Sequence, residues 1–551
     1  MEPDRVYGHL SSAWGKNHFE VDGPLREMLR HFAPALSDLR PLGAFAGTEL
    51  YEIADYVDKT ARPRLLTWTV HGERVDDIWL DPSERRVLER LIREFRVNRA
   101  PYRGGSWFEH YVAIYLVSDP GLACILTLTN QTAYALHKYG TERQRALVAS
   151  LIGESDPVRF GATWFTEIQG GSDLGANRVE ARTEDGVVRI SGDTKYFASN
   201  AGLADYALVS ARPRGAPAGA KGLGLYLVPK LTRDGRRNYR VRRLKEKSAT
   251  RSVPTGEVEL VDAEAEPVGD PSKGIYYLTE NLLVSRLANS FGALGVARKA
   301  YLEAYYYVQR RTSFGRRLID HPLVRRDLLD LEVAIEGSLA LALRAVEQFE
   351  RCHREAPPYS DAYHYARLLT HLAKNLTAEV AAETTRTAME LLGGLGFLEE
   401  YPLERLHREA LVLPIWEGPS NIQALDLLEV IAKKQAHRSL EQELASAARG
   451  ATDGADALAV VAERTQDALR RLEAADEASA QFFAKDTLGV LGHGLAATLL
   501  VELGRWQGRP RFTEVGRLYA TRFVERSEYP LSALEAAPEI YAIDALPPEG
   551  S

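Results

Sequence analysis

Cysteine is almost absent: Cys124 and Cys352 are the only two among 551 residues. Two isolated thiols build neither a disulfide framework nor a zinc cluster, which points to a reducing cytoplasm. Basic excess is lacking too. The chain carries 69 Lys and Arg against 76 Asp and Glu, a net charge of −7, which argues against a globally basic nucleic-acid binder. The first residues are charged and show no apolar core of a secretory signal. No uninterrupted apolar run approaches the roughly 18 residues that a membrane span needs. No set of His, Cys and carboxylates has metal-ligand spacing, and no GxSxG nucleophile elbow occurs. What remains is 45% hydrophobic and 26% charged residues, the composition of a soluble globular protein of about three or four domains.

The periodicity changes twice along the chain. Residues 1–155 read mainly as helices. In "SERRVLERLIREF", Val87, Leu88, Leu91 and Ile92 share one helical face, and Ser83 is placed to cap it. Residues 156–270 read as a β domain. "VEARTEDGVVRISGDTKYFAS" alternates, and its Asp185-Gly186 pair between β-branched flanks signals a hairpin. Residues 271–435 return to a helical period, with four long helices and short connections that predict a bundle. Residues 436–551 form a further helical segment, broken at "ARGATDGAD".

Chemistry concentrates in a few strings. "WFTEIQGGSD", residues 164–173, puts Thr166, Gly170, Gly171, Ser172 and Asp173 just after an apolar, β-leaning run. Glycines there let backbone N–H groups approach a ring or a phosphate. "PIWEGPSNIQ" puts Glu417 and Gly418 ahead of Pro419, which suits a first helical turn, so a helix N-terminus there offers N–H groups to an anion. "GGLG" at 393–396 follows a helix rather than a strand and is not a dinucleotide fingerprint. His364 and His371, two turns apart on one helix, are expected to pack or to face solvent.

The order helical domain, β domain, helical bundle resembles the acyl-CoA dehydrogenase flavoproteins. "TEIQGGSD" is similar to their flavin loop and "KYFASN" to their second flavin strand. "RRTSFGRRLIDHPLVRRDLLDLE" is similar to the segment that reaches a neighbouring subunit's flavin. "LLGGLGFLEEYPLERLHREA" and "PIWEGPSNIQ" are similar to the last two motifs. "RLLTWTVHGERVDDIWLDPSERRVL", "LKEKSATRSVPTGEVEL" and the C-terminal extension resemble the AidB-type branch, linked to the response to DNA alkylation. The resemblance implies an α+β fold: a mainly helical N-terminal domain, a middle β domain, a four-helix bundle and an extra helical domain.

It also implies FAD, an acyl thioester substrate, electron-transfer flavoprotein as a partner, and a homotetramer built as a dimer of dimers. The reaction is α,β-dehydrogenation at a CH–CH donor, with Glu417 as base and flavin N5 as hydride acceptor. An apolar surround at Trp416 would raise the Glu417 pKa towards a useful value. Cofactor contacts fall on Thr163, Phe165, Thr166, Gly171, Ser172, Phe197, Ala198, Ser199, Arg311, Ser313, Phe314, Gly394, Trp416, Gly418, Ser420 and Asn421. Pro419 stands where the family usually has Thr. Arg286 matches an arginine near CoA, but Leu283 stands where its acidic partner is usual. A second reading is an AidB-type flavoprotein that binds double-stranded DNA and has weak or no dehydrogenase activity. Residues 431–551 hold 14 Lys and Arg against 18 Asp and Glu, yet Arg505, Arg509, Arg511, Arg517 and Arg522 cluster among Trp506, Phe512 and Tyr519. Those five are the candidate DNA contacts.

Overall fold

A computed structural model describes residues 12–192, 194–449, 451–526 and 532–545. The amphipathic helix expected around Val87–Ile92 is Pro82–Arg93. Its cap is Asp81, whose carboxylate accepts the Ser83 N–H at 2.9 Å. Ser83 was expected in that role. Pro82 suits the first helical position, where a missing N–H costs nothing, so the residue before it becomes the cap. Ahead of it lies a feature that the helical reading of residues 1–155 misses, an antiparallel hairpin of β1 (Arg64–Trp68) and β2 (Arg74–Trp79). Leu66, Trp68 and Trp79 on this hairpin are exposed while Ile78 is buried, so its largest apolar residues do not mark the buried face.

The β domain follows as β3 (Gly161–Trp164), β4 (Glu180–Glu184), β5 (Val187–Ser191), β6 (Lys195–Ser199), β7 (Tyr206–Pro213), β8 (Gly224–Pro229), β9 (Arg240–Leu244), β10 (Thr255–Glu259) and β11 (Ala263–Pro267). β4 pairs with β5, β5 with β11, β11 with β8, β8 with β7, and β7 with β4 again, so five strands close on themselves. β3 adds to β7 in parallel. Val179, Ala181, Ile190, Val209 and Val228 lie within the core of this domain. The predicted hairpin turn has positive φ at both residues, +51° at Asp185 and +75° at Gly186, the pair of left-handed positions that a type I′ turn demands. β6, β10 and β9 form a second, antiparallel sheet.

The four expected bundle helices are Gly274–Arg310, Pro322–Cys352, Asp361–Leu392 and Ser420–Lys434. The last segment contributes His437–Ala448, Ala455–Glu473, Glu477–Gln507 and Pro510–Tyr519. Glu477–Gln507 packs on the last three bundle helices. It also qualifies a sequence expectation. An 18-residue window in it is apolar enough, by length and composition, to cross a membrane, and 78% of that window is buried inside the protein. Interruptions such as His493 hide the window from a search for unbroken apolar runs. Gly337 lets the last segment seat closely, since a Cβ there would lie 2.1 Å from the Tyr519 ring.

By its internal contacts the chain forms two compact units. One comprises Met1–Tyr51, Tyr111–Ser118 and Asn289–Ser551; the other comprises Glu52–His110 and Asp119–Ala288. The first unit is braced by buried charge. Arg298 pairs with Asp22 at 3.1 Å and with Glu332, and Arg511 pairs with Glu336 at 2.6 Å. Burial pushes the Glu332 carboxyl up to about 8 against the pull of Arg298.

Candidate active site

In the β-domain unit, the loop that leaves β3 is tied to β6 by a buried ion pair. Glu167 and Lys195 are both fully buried and meet at 2.8 Å. Glu167 also accepts from the N–H groups of Arg178 at 2.6 Å and Val179 at 3.3 Å. Lys195 donates further to the Ser210 carbonyl at 2.9 Å. Burial lowers the Lys195 ammonium to about 8, with Glu167 opposing. The pair has enough hydrogen bonds to offset much of its desolvation, and it locks the 164–173 loop against the Lys195–Ser199 strand. Trp164 adds a bond from its indole N–H to the Ser199 carbonyl at 2.9 Å.

That frame leaves a receptive face. Strand alternation turns Ala198 inward and Phe197 outward, and Phe197 is 59% exposed; it is not a core residue. Ser199 is half-buried on the same face as Phe197. Thr163 donates to Gln131 at 3.2 Å, and Phe165 is buried with its carbonyl accepting from Asn177 at 2.8 Å. Thr166 and Gly171 are half-buried and Ser172 is exposed. Gly170 has φ +120°, and a Cβ on Gly171 would lie 2.4 Å from the Thr166 hydroxyl. The two glycines therefore permit a backbone path beside Thr166 that a side chain would obstruct. Arg286 is also in this unit, buried one turn after the buried Leu283.

The helical unit carries the other motif residues. Thr312–Ser313 and Arg316–Arg317 pair as a small hairpin whose turn is Phe314 (φ +50°) and Gly315 (φ +77°). Arg311 is exposed, Ser313 half-buried, and Phe314 is 95% exposed. Gly394 lies in the exposed 3₁₀ turn Gly393–Phe397. Glu417 itself has φ +57° and Gly418 has +93°. A left-handed glutamate costs about 1–3 kcal/mol and persists only where its surroundings impose it. Here they do. The buried Lys374 donates to the carbonyls of Gly418 at 2.8 Å and Pro414 at 3.3 Å. Gln423 donates to those of Glu417 at 3.1 Å and Gly418 at 2.9 Å, and its own oxygen accepts from the buried His371 at 3.0 Å. His364 is likewise buried. The Trp416 indole donates to Asn289. Beyond Pro419, the helix Ser420–Lys434 begins without a side-chain cap; Ser420 donates to Glu379 at 3.2 Å and Asn421 is exposed.

The five C-terminal arginines each meet an acceptor in this chain. Arg505 donates to the Ala447 carbonyl at 2.8 Å. Arg509 pairs with Glu27 at 3.2 Å, Arg517 with Asp453 at 2.6 Å and Asp456 at 3.2 Å, and Arg522 with Asp330 at 3.3 Å. Arg511 forks onto the buried Glu336 and donates to the Ile540 carbonyl at 2.9 Å.

Three family models cover most of the chain. Residues 11–155 match the adaptive response protein AidB N-terminal domain, 162–263 the acyl-CoA dehydrogenase middle domain, and 272–432 the acyl-CoA dehydrogenase C-terminal domain. Putative acyl-CoA dehydrogenase AidB of Escherichia coli is 30% identical over 393 residues, 68% of this chain and 70% of that one. The chain belongs to the acyl-CoA dehydrogenase family. It falls in the AidB-type branch. Acyl-CoA dehydrogenase family member 11 of Caenorhabditis elegans is 32% identical over 444 residues, 76% of this chain and 71% of that one. The crystal structure of Caenorhabditis elegans ACDH-11 in complex with C11-CoA shares the fold, with a TM-score of 0.82, 23% identity and 96% of each chain covered.

Membership makes the protein an FAD-dependent oxidoreductase. The β-domain residues fit that cofactor: an outward aromatic at Phe197, hydroxyls at Thr166 and Ser199, and a glycine path that a Cβ would block. Sequence reasoning alone missed four supports of the acyl-CoA dehydrogenase motifs, namely the Glu167–Lys195 pair, Lys374, Gln423 and His371's bond to it. None of them left a signal in the strand pattern: Lys195 shares the register of the outward Phe197 and Ser199, and only the folded structure shows it buried.

Proposed function

We propose that this protein catalyses the α,β-dehydrogenation of an acyl-CoA, with Glu417 as the base. The observation that carries this reading is the left-handed Glu417, held by Lys374 and Gln423 through its own loop's carbonyls. An acid that merely favoured a helix N-terminus would need no such conformation. Glu417 takes the α-proton onto a carboxylate oxygen, and the positioned loop spares it the entropy of finding that geometry. In this reading the Glu417 N–H polarises the thioester carbonyl, which an unactivated α-proton requires. Bound FAD supplies the hydride acceptor, and electron-transfer flavoprotein takes the electrons onward. Relatives named acyl-CoA dehydrogenases support an acyl-CoA as substrate. Anaerobic addition of straight-chain acyl-CoAs to the FAD-loaded protein tests the reading. Bleaching of the flavin band by at least one chain length is the expected result; an unchanged spectrum with every one overturns it.

We further propose a cytoplasmic homotetramer, a dimer of dimers. The Arg311–Phe314 hairpin supports this, because the aromatic at its tip is 95% exposed and meets only the edge of the His321 ring among the described residues. Arg311→Ala is expected to weaken FAD by about 1.5–3 kcal/mol through loss of a charge-assisted contact. A monomer in light scattering with full FAD occupancy would contradict both parts.

A duplex-binding role through Arg505, Arg509, Arg511, Arg517 and Arg522 has weaker support, because phosphates would compete with the carboxylates that already neutralise four of these arginines. Titration with duplex DNA between about 50 and 200 mM salt is expected to show no steep salt-dependent shift. A shift that Arg509→Glu and Arg517→Glu remove would favour the DNA reading instead.

A further inference from the structure

The outward face of β6 carries a hydroxyl whose proton direction can be worked out. Ser199 lies on the same face as the exposed Phe197, two residues on. Across the ladder it pairs with Thr255 on β10, and the two hydroxyl oxygens are 3.1 Å apart. Distance alone leaves either one as the donor.

Lys247 resolves the direction. Its ammonium donates to the Thr250 carbonyl at 2.6 Å, the Val253 carbonyl at 2.8 Å and Thr255 Oγ1 at 3.0 Å. Lysine has three N–H donors and no acceptor, so Thr255 Oγ1 must accept from it. Thr255 is buried, and among the described residues its side-chain oxygen has only Lys247 and Ser199 as hydrogen-bond partners. Its own O–H can be satisfied only by donating to Ser199 Oγ; the reverse arrangement strands a buried hydroxyl proton. Ser199 therefore accepts from within, and its proton is left for the open face.

We propose that Lys247 and Thr255 are positioning residues that hold the Ser199 hydroxyl as a dedicated hydrogen-bond donor towards an acceptor on the flavin. This rests on the reading of Ser199 as a flavin contact. A cation at the head of the chain polarises each O–H after it, so the outer bond is stronger than that of an isolated serine. It also makes the site selective: the position favours a ring nitrogen or carbonyl oxygen and disfavours a donor.

The test uses the full-length protein stripped of FAD and titrated with FAD, followed by flavin fluorescence and by the visible spectrum of the complex. Ser199→Ala and Thr255→Val are each expected to raise the Kd for FAD about 2- to 10-fold and to shift the visible band. The double variant is expected to be no worse than Ser199→Ala, because both act through one bond. Thr255→Ser, which keeps the hydroxyl and drops only the methyl, is expected to match the wild type. A silent Ser199→Ala overturns the placing of Ser199, and the relay with it. An effective Ser199→Ala beside a silent Thr255→Val overturns the relay alone. So does a Thr255→Ser variant as impaired as Thr255→Val, or a double variant whose losses add, since packing would then account for Thr255.

Discussion

Glu417→Gln is expected to keep FAD bound and to slow its reduction by an acyl-CoA about 10²- to 10⁴-fold. The amide has nearly the shape of the carboxylate but cannot accept the α-proton. The loop does not depend on that side chain for its path, because Lys374 and Gln423 hold backbone carbonyls at 414, 417 and 418. Binding and chemistry are thereby separable at this position. Anaerobic stopped-flow with a chain length that bleaches the wild type reads the rate, and the spectrum before mixing reads the FAD content. Glu417→Gly offers a second arm. Glycine enters the left-handed region freely, so this variant is expected to lose the reaction without losing stability. Reduction of Glu417→Gln at the wild-type rate would place the base elsewhere.

Lys195→Met is expected to cost about 3–5 kcal/mol, because it strands the Glu167 carboxylate, which is buried with its partner. The loss is expected in the β-domain transition in thermal or denaturant unfolding, together with a fall in FAD content as the 164–173 loop comes away from β6. The double variant Glu167→Gln with Lys195→Met is expected to recover most of the stability. Its amide oxygen still accepts the Arg178 N–H, and only the longer bond from the Val179 N–H to the other carboxylate oxygen is given up. Removing both charges abolishes the unpaired one, which is the costly species. A Lys195→Met protein as stable as the wild type would show that the pair does not brace the site.

Both residues sit inside motifs that were legible from composition and order, yet their roles were not equally legible. The Asp185-Gly186 turn could be read from two letters, because positive φ at both positions is a local demand. The bundle helices could be read from their period, because burying one face of a helix is a demand repeated every few residues. The motif strings and their sequence order carried the family, since each string holds its own turn or strand. The β1–β2 hairpin escaped, because its tryptophans face outward and local alternation does not report which face is buried.

Charge partners lay beyond the reach of the sequence. Arg511 reads as part of a basic cluster with Arg509 and Arg517, but Glu336, which neutralises it, stands 175 positions away. Lys374 reads as one polar residue in a helix, and only folding brings it to the Gly418 carbonyl. Sequence by itself determined the elements, their order and the motif loops, because those follow from torsional preference and periodic burial within a few residues. Tertiary structure alone decided which charges are cancelled, which hydroxyl points outward and why Glu417 keeps a strained backbone, because electrostatic and hydrogen-bond energies depend on distances in space that contact along the chain does not set.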